Sequence, residues 1–277
     1  MNLQALAYKL RKDVINIIVS GKGGHIGGDM SVMDALVTLY FKVMDVTPEN
    51  FASGKHDHFV MSKGHSVESL YAVLAEKGFF PLSQVLNEFS RFGSKFIGHP
   101  NNKLPGIEMN SGALGHGLPV AVGMALACRM NGSSERVYTF LGDGELAEGS
   151  NWEGAMAAAN YHLDNLCALI DRNRLQISGC TEDVMALEDL KAKWQAFGWH
   201  VIVVEDGNSI DELSAAFAAA KEVQGKPTML IANTVKGKGS AVMENKAGWH
   251  HHVPNEEEYQ QIMRDLDAAY EEALKNG

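Results

Sequence analysis

Two apolar, β-branched runs separated by one helical stretch constrain this chain more than any other feature. The first, VYTFLGDG from Val137 to Gly144, stops at Gly-Asp-Gly, and the second, LCALIDRN from Leu166 to Asn173, stops at Asp-Arg-Asn. Between them EGSNWEGAMAAANYHL reads as a helix. Two such runs joined through a helix close as a right-handed βαβ unit with parallel strands. Asp143 and Asn173 then emerge at the carboxyl ends of neighbouring strands, where open α/β sheets bind their ligands.

Charge sets the kind of ligand. A glycine-rich turn opening a helix ordinarily receives phosphate on its free N–H groups, but this one carries Asp143, Glu145 and Glu148, which would repel a diphosphate. A divalent cation resolves the conflict. The Asp143 carboxylate, the Asn173 amide and a backbone carbonyl just past it, with two phosphate oxygens and a water, complete the octahedron that Mg²⁺ demands. The bland alternative is an ordinary glycine turn followed by an Asn turn. A nicotinamide or flavin fingerprint fits worse, because Gly142, Gly144 and Gly149 do not make Gly-x-Gly-x-x-Gly.

The rest of the chain alternates in the same way. HFVMSKGH (58–65), GWHVIVVE and KPTMLIANT add three strand candidates, with helices expected over SVMDALVTLYFKVM, VESLYAVLAEKGFF, LPVAVGMALACRM, 187–197 and IDELSAAFAAAKEVQ. Five strands interleaved with helices indicate an α/β fold: a doubly wound, mostly parallel sheet with helices on both faces, and residues 1–277 as one domain. An amphipathic helix opens the chain (Leu6, Leu10, Val14, Ile17, Ile18), and another closes it with Ile262, Leu266, Tyr270 and Leu274 on one face. Neither resembles a signal peptide or a membrane span. The formal charge of −10 argues against nucleic-acid and anionic-membrane partners, so an anionic substrate must be met by a local cluster or a metal. Three cysteines, Cys128, Cys167 and Cys180, suit buried thiols in a reducing cytoplasm. Lys236 and Lys238 of KGKGS read as exposed residues after a strand rather than as a phosphate loop, and WHHH (249–252) reads as a poor metal patch, because adjacent residues of an extended segment face opposite ways.

The ordered series GGHIGG around His25, SKGH ending at His65, GHP around His99, LPGIEMNSGALGHG, LGDGELAEG, IDRNRLQISG, and KGKG followed by EN and WHHH resembles the amino-terminal, diphosphate-binding half of transketolase over nearly the whole chain. Each motif alone is weak; the series is specific. The resemblance implies the thiamine diphosphate-binding fold with Mg²⁺, or Ca²⁺ or Mn²⁺ in its place, held by Asp143, Asn173 and the carbonyl of Leu175. It implies that Gly142 and Gly144 lie at the diphosphate, Gly112 and Leu114 approach the aminopyrimidine, and Ile177 supports the thiazolium ring. His25, His65, His99 and His250 would line the substrate channel, His65 and His250 also touching the cofactor, as groups that titrate near neutrality and relay protons. His251 stays open as the alternative to His250, and His116 stands where the family has glutamine. Glu148 and Glu153 match positions at the family's subunit interface.

By the same resemblance the chain is the first subunit of a split transketolase, in the cytoplasm, transferring a two-carbon ketol unit from a ketose phosphate to an aldose phosphate. The pyrimidine-binding and carboxy-terminal domains, the activating glutamate and the sugar-phosphate site would belong to a partner chain in an α2β2 assembly. Two alternatives stay open: another thiamine diphosphate ketol or acyl transferase resembling deoxyxylulose-phosphate synthase, and a non-catalytic cofactor-binding or regulatory subunit.

Overall fold

The computed structural model of the chain describes residues 1–276. In chain order its strands are β1 (His58–Met61), β2 (Val137–Gly142), β3 (Leu166–Arg172), β4 (Leu175–Gln176), β5 (Gly179–Cys180), β6 (His200–Val204) and β7 (Thr228–Asn233). The short β4 and β5 pair only with each other, antiparallel; the other five form one sheet in the order β1-β2-β3-β7-β6, every pair parallel. These are the five strands expected from the sequence. The hairpin was not expected.

The strand order dictates which face each helix covers. From β1 through β2 and β3 to β6 the chain steps across the sheet in one direction, and from β6 to β7 it steps back. Right-handed crossovers put the two kinds of step on opposite faces. Helices Gly117–Met130, Gly149–Asn160 and Leu190–Ala196 accordingly pack with Leu141, Leu166, Ala168, Ile170, Met229 and Ile231. Helix Ile210–Glu222 packs on the other face with Tyr138, Phe140, Cys167, Leu169 and Leu230, under the layer built by Leu3–Gly21, Ile26–Thr38 and Val67–Glu76. Residues alternate between the two cores along β2 and β3, the period of two that a strand buried on both faces requires.

Several boundaries differ from the sequence reading for a local reason. The second helix starts at Ile26, not at Ser31, so Gly27 and Gly28 lie inside it. A Cβ on Gly27 would sit 2.6 Å from the Trp249 carbonyl oxygen, and one on Gly28 2.7 Å from Ser66 Oγ. These glycines serve close approach of neighbouring loops rather than a flexible turn. A 3-10 turn, Gly144–Ala147, precedes the helix after β2, and Leu82–Glu88 adds a short helix with no periodic signal. In the closing helix Ile262 and Leu266 are buried, but Leu274 is exposed. Cys128 and Cys167 are buried, Cys180 partly so, and none is in a disulfide. Among the described residues no helix is long and apolar enough to cross a membrane.

Candidate functional site

Parallel strands deliver their loops to one edge, and the chemistry-bearing residues of this chain collect there. Lys63 and His65 follow β1, Asp143 and Gly144 follow β2, Asn173 and Leu175 follow β3, and Lys236 follows β7. Gly142 pairs with Asp171 and Asp171 with Ala232, so three strands leave the sheet level with one another. Asp171 is the floor of this edge. It is wholly buried and accepts hydrogen bonds from Lys63, Ser31 and Thr234. Burial works against its charge, but the Lys63 ammonium and these bonds hold its carboxyl below the usual range.

Above that floor lie the oxygens expected to bind metal. Asp143, only 2% exposed, accepts from the N–H of Gly144 at 2.8 Å and of Arg174 at 2.5 Å, with Arg172 Nη1 3.3 Å away. Burial, then the charge of Asp171, pushes its carboxyl above the ordinary value. Asn173 donates to Asp171 at 3.2 Å and Ser31 at 3.3 Å, while its Oδ1 accepts from the Leu175 N–H at 3.1 Å. Asp143 and Asn173 share no direct bond; the N–H of Arg174 ties them. The Leu175 carbonyl accepts from Lys236 Nζ at 3.1 Å. Carboxylate, amide and carbonyl oxygens form a hard donor set that fits Mg²⁺, and one of them has already drawn a cation. Lys236 is 1% exposed, which corrects the reading of it as a surface lysine. Burial and the neighbouring Lys63 charge push its ammonium down to about 8, so an anion at this edge would be welcome to both lysines.

The four predicted histidines, drawn from loops far apart in the chain, meet here. The His25 ring lies 5.4 Å from His65, 5.9 Å from His99 and 5.7 Å from His250, and His65 lies 5.4 Å from His250. His251 also reaches His25, at 4.8 Å, but from the exposed side. His250 is the inner of the two: its Nδ1 accepts from Lys236 at 3.1 Å, which places its ring proton on Nε2. Burial first, then the nearby charges, pushes His25 down to about 4 and His250 to about 3, and holds His65 well below its ordinary value; burial alone lowers His99. The expectation of histidines titrating near neutrality is thus corrected. Crowded, dry imidazoles stay neutral at pH 7, each with one donor and one acceptor.

Other residues complete the edge. Gly112 holds φ at +135°, and a Cβ there would strike His99 Cδ2 at 2.6 Å, so glycine is required for the loop to reach the histidines. Leu114 is partly buried on the same loop, and its carbonyl lies 3.1 Å from His116 Nδ1. Gly144 passes close to Gln176, and Ile177 is 71% exposed at the tip of the β4–β5 hairpin. Of the three acids read as one anionic loop, Asp143 and Glu145 are buried while Glu148 is exposed, as is Glu153 further on. Lys63, Glu145 and Asp171 carry no signal in the sequence reading beyond proximity to glycine turns.

Behind His25 lies a pair of wholly buried carboxyls, Asp29 and Glu68. Asp29 Oδ1 accepts from the Ser69 N–H at 2.8 Å; its other oxygen and both Glu68 oxygens have only each other to face. Burial pushes Asp29 up to about 7 and Glu68 well above the carboxylate range, so the pair retains protons at neutral pH. Raised carboxyls stabilise the fold fully below their unfolded values near 4, and that stability drains as pH climbs through the folded ones. Urea unfolding from pH 4 to 8 should therefore show stability falling toward pH 7 in the wild type and a flatter profile in Glu68→Gln. Identical slopes would contradict the shared proton.

The family model for the thiamine diphosphate-binding domain of transketolase matches residues 3–273. One of the two subunits of apulose-4-phosphate transketolase from Phocaeicola vulgatus is 46% identical over 273 residues, covering 99% of this chain and 96% of that protein. The 6-deoxy-6-sulfo-D-fructose transketolase subunit SqwG from Clostridium sp. is 41% identical, covering 96% of this chain and 97% of that one. Human transketolase is 40% identical over 252 residues, but the chain spans only 40% of its length. Among solved structures, a transketolase variant from Pichia stipitis superimposes with a TM-score of 0.90 at 29% identity over 100% of this chain and 44% of that one.

Proposed function

The chain belongs to the transketolase family through its thiamine diphosphate-binding domain, and from that premise we propose that it is the first subunit of a two-chain transketolase, moving a ketol unit from a ketose to an aldose. One observation carries the reading: the hard oxygens of Asp143, Asn173 and Leu175, the ammonium of Lys236 and the cluster of neutral histidines share one edge of the sheet. Asp143, Asn173 and the Leu175 carbonyl would hold Mg²⁺, and Lys236 with the N–H groups around Gly144 would meet the diphosphate. When bound, thiamine diphosphate supplies the electron sink that lets the bond beside a ketose carbonyl break. The protein's share is orientation. Neutral imidazoles of His25, His65, His99 and His250 can donate to and accept from sugar hydroxyls without the desolvation cost that buried imidazolium would carry.

The domain plan belongs to the same proposal: residues 1–277 form the diphosphate-binding domain, and a partner chain carries the pyrimidine-binding half in an α2β2 assembly. Relatives matched nearly end to end are named as subunits of a transketolase, whereas full-length transketolases extend well beyond the matched region. Sugar phosphates as substrates and a cytoplasmic setting follow from this reading. The test is reconstitution. The chain with thiamine diphosphate, Mg²⁺, a ketose phosphate and an aldose phosphate should show no turnover alone and steady turnover once its partner is added. Full turnover by the chain alone would sink the two-chain reading.

A further inference from the structure

At the opposite, amino-terminal end of β1 a second group of metal-ligating side chains stands apart from the strand tips. Glu108 Oε1 accepts from His56 Nε2 at 2.9 Å and from His58 Nδ1 at 2.8 Å. The three ligand atoms lie within 4.8 Å of one another, and His58 belongs to a second such group with Cys128 and Glu135. His56 is 5% exposed, Glu108 15% and His58 20%, so the cluster is mostly dry with a path to solvent past His58. His56 leans on Phe51 with ring centres 4.6 Å apart, and its Nδ1 is buried without a partner. The ring is therefore fixed by stacking and by what its Nε2 meets.

We propose that His56, His58 and Glu108 form a binding site for a borderline divalent ion of the Zn²⁺ class, separate from the coenzyme's metal. Two imidazole nitrogens and one carboxylate oxygen are the ligand set of a three-coordinate protein site with water in the fourth position, and they select against Mg²⁺ and Ca²⁺, which want oxygens. In a tetrahedral zinc site with bonds of about 2.0–2.1 Å, neighbouring ligand atoms stand about 3.3 Å apart. The pairs here need open by only about half an ångström for the metal to replace the protons they now share. Binding releases those protons to solvent, and Glu135 and Cys128 add negative charge and a reserve donor beside the ion. The place has a consequence. Glu108 lies on the segment that continues to Gly112 and Leu114, so an ion here would clamp the start of β1 to the loop that reaches the histidines.

The experiment is calorimetric titration of Zn²⁺ into the untagged full chain in excess Mg²⁺, with thermal melts alongside. One ion per chain is expected, bound roughly tenfold to a hundredfold more weakly in Glu108→Gln and in His58→Ala. Binding should be unchanged in His25→Ala and His251→Ala, which separates this site from the histidine cluster. Zn²⁺ should raise the melting temperature of the wild type and not that of Glu108→Gln. Where a variant does not fold by circular dichroism, the Co²⁺ spectrum of the wild type decides: intense visible bands mean four-coordination, weak octahedral bands sink the proposal. It is equally overturned if no stoichiometric ion binds, if binding survives both Glu108→Gln and His58→Ala, or if it vanishes with His25→Ala.

Discussion

Replacing Asp143 by asparagine should weaken thiamine diphosphate binding in the reconstituted two-chain protein by on the order of a hundredfold, about 2.7 kcal/mol. The carboxylate is buried, near Asp171, and pushed above its ordinary value by both. A divalent ion would relieve that position, and the diphosphate would be the ion's other ligand. Asparagine keeps the shape and an acceptor oxygen for the N–H groups of Gly144 and Arg174, so the fold should stand. Alanine would leave those two donors orphaned as well, adding a stability cost of about 1–3 kcal/mol that has nothing to do with metal. Calorimetry of coenzyme binding with and without chelator separates the two. Wild-type affinity should collapse with chelator, whereas Asp143→Asn, already weak, should hardly respond. Coenzyme uptake that ignores both chelator and Asp143→Asn would remove the metal from the account.

What the sequence made legible and what it hid differ by the range of the interaction. The five strands were legible because each is a short, largely apolar run ending in a loop that breaks it, and burial on both faces of β2, β3 and β7 leaves few polar residues to blur the pattern. The gathering of Asp143 and Asn173 followed from one topological rule applied to neighbouring strands. The histidines came together only through the ordered series of motifs, since nothing local in GGHIGG says that His25 meets His250 more than two hundred residues on. Their neutrality was hidden altogether, because a histidine's charge depends on how deeply it is buried and which cations crowd it, and Lys63 and Lys236 are not readable as neighbours from sequence. Lys236 misled for the same reason: lysine after a strand is ordinarily at the surface, and only the Leu175 carbonyl and His250 make its burial tolerable.

Glu145 gives the sharpest case of one letter with two fates, and the second large effect. It lies two residues past Asp143 and three before Glu148, and all three read alike in sequence. Yet its carboxylate is buried and accepts from the Gly115 N–H at 2.9 Å, from the Gly142 N–H at 2.9 Å and from Ser62 Oγ. It thereby fastens the ends of β1 and β2 to the glycine loop that carries Gly112 and Leu114. Glu145→Ala strips acceptors from three buried donors, and charge-assisted bonds of this kind are worth about 1.5–3 kcal/mol each, partly offset because a buried charge disappears with them. A net loss of about 2–4 kcal/mol is expected, which in a domain of this size lowers the melting temperature by on the order of 5–15 °C. Amide exchange should speed up over residues 111–117 before it does in the sheet. Glu148→Ala, three positions away and exposed, should move stability by no more than about 0.5 kcal/mol in the isolated chain. If the two alanine variants melt together, the inward carboxylate does not hold the loop, and the positioning of Gly112 against His99 must be credited to the loop's own backbone.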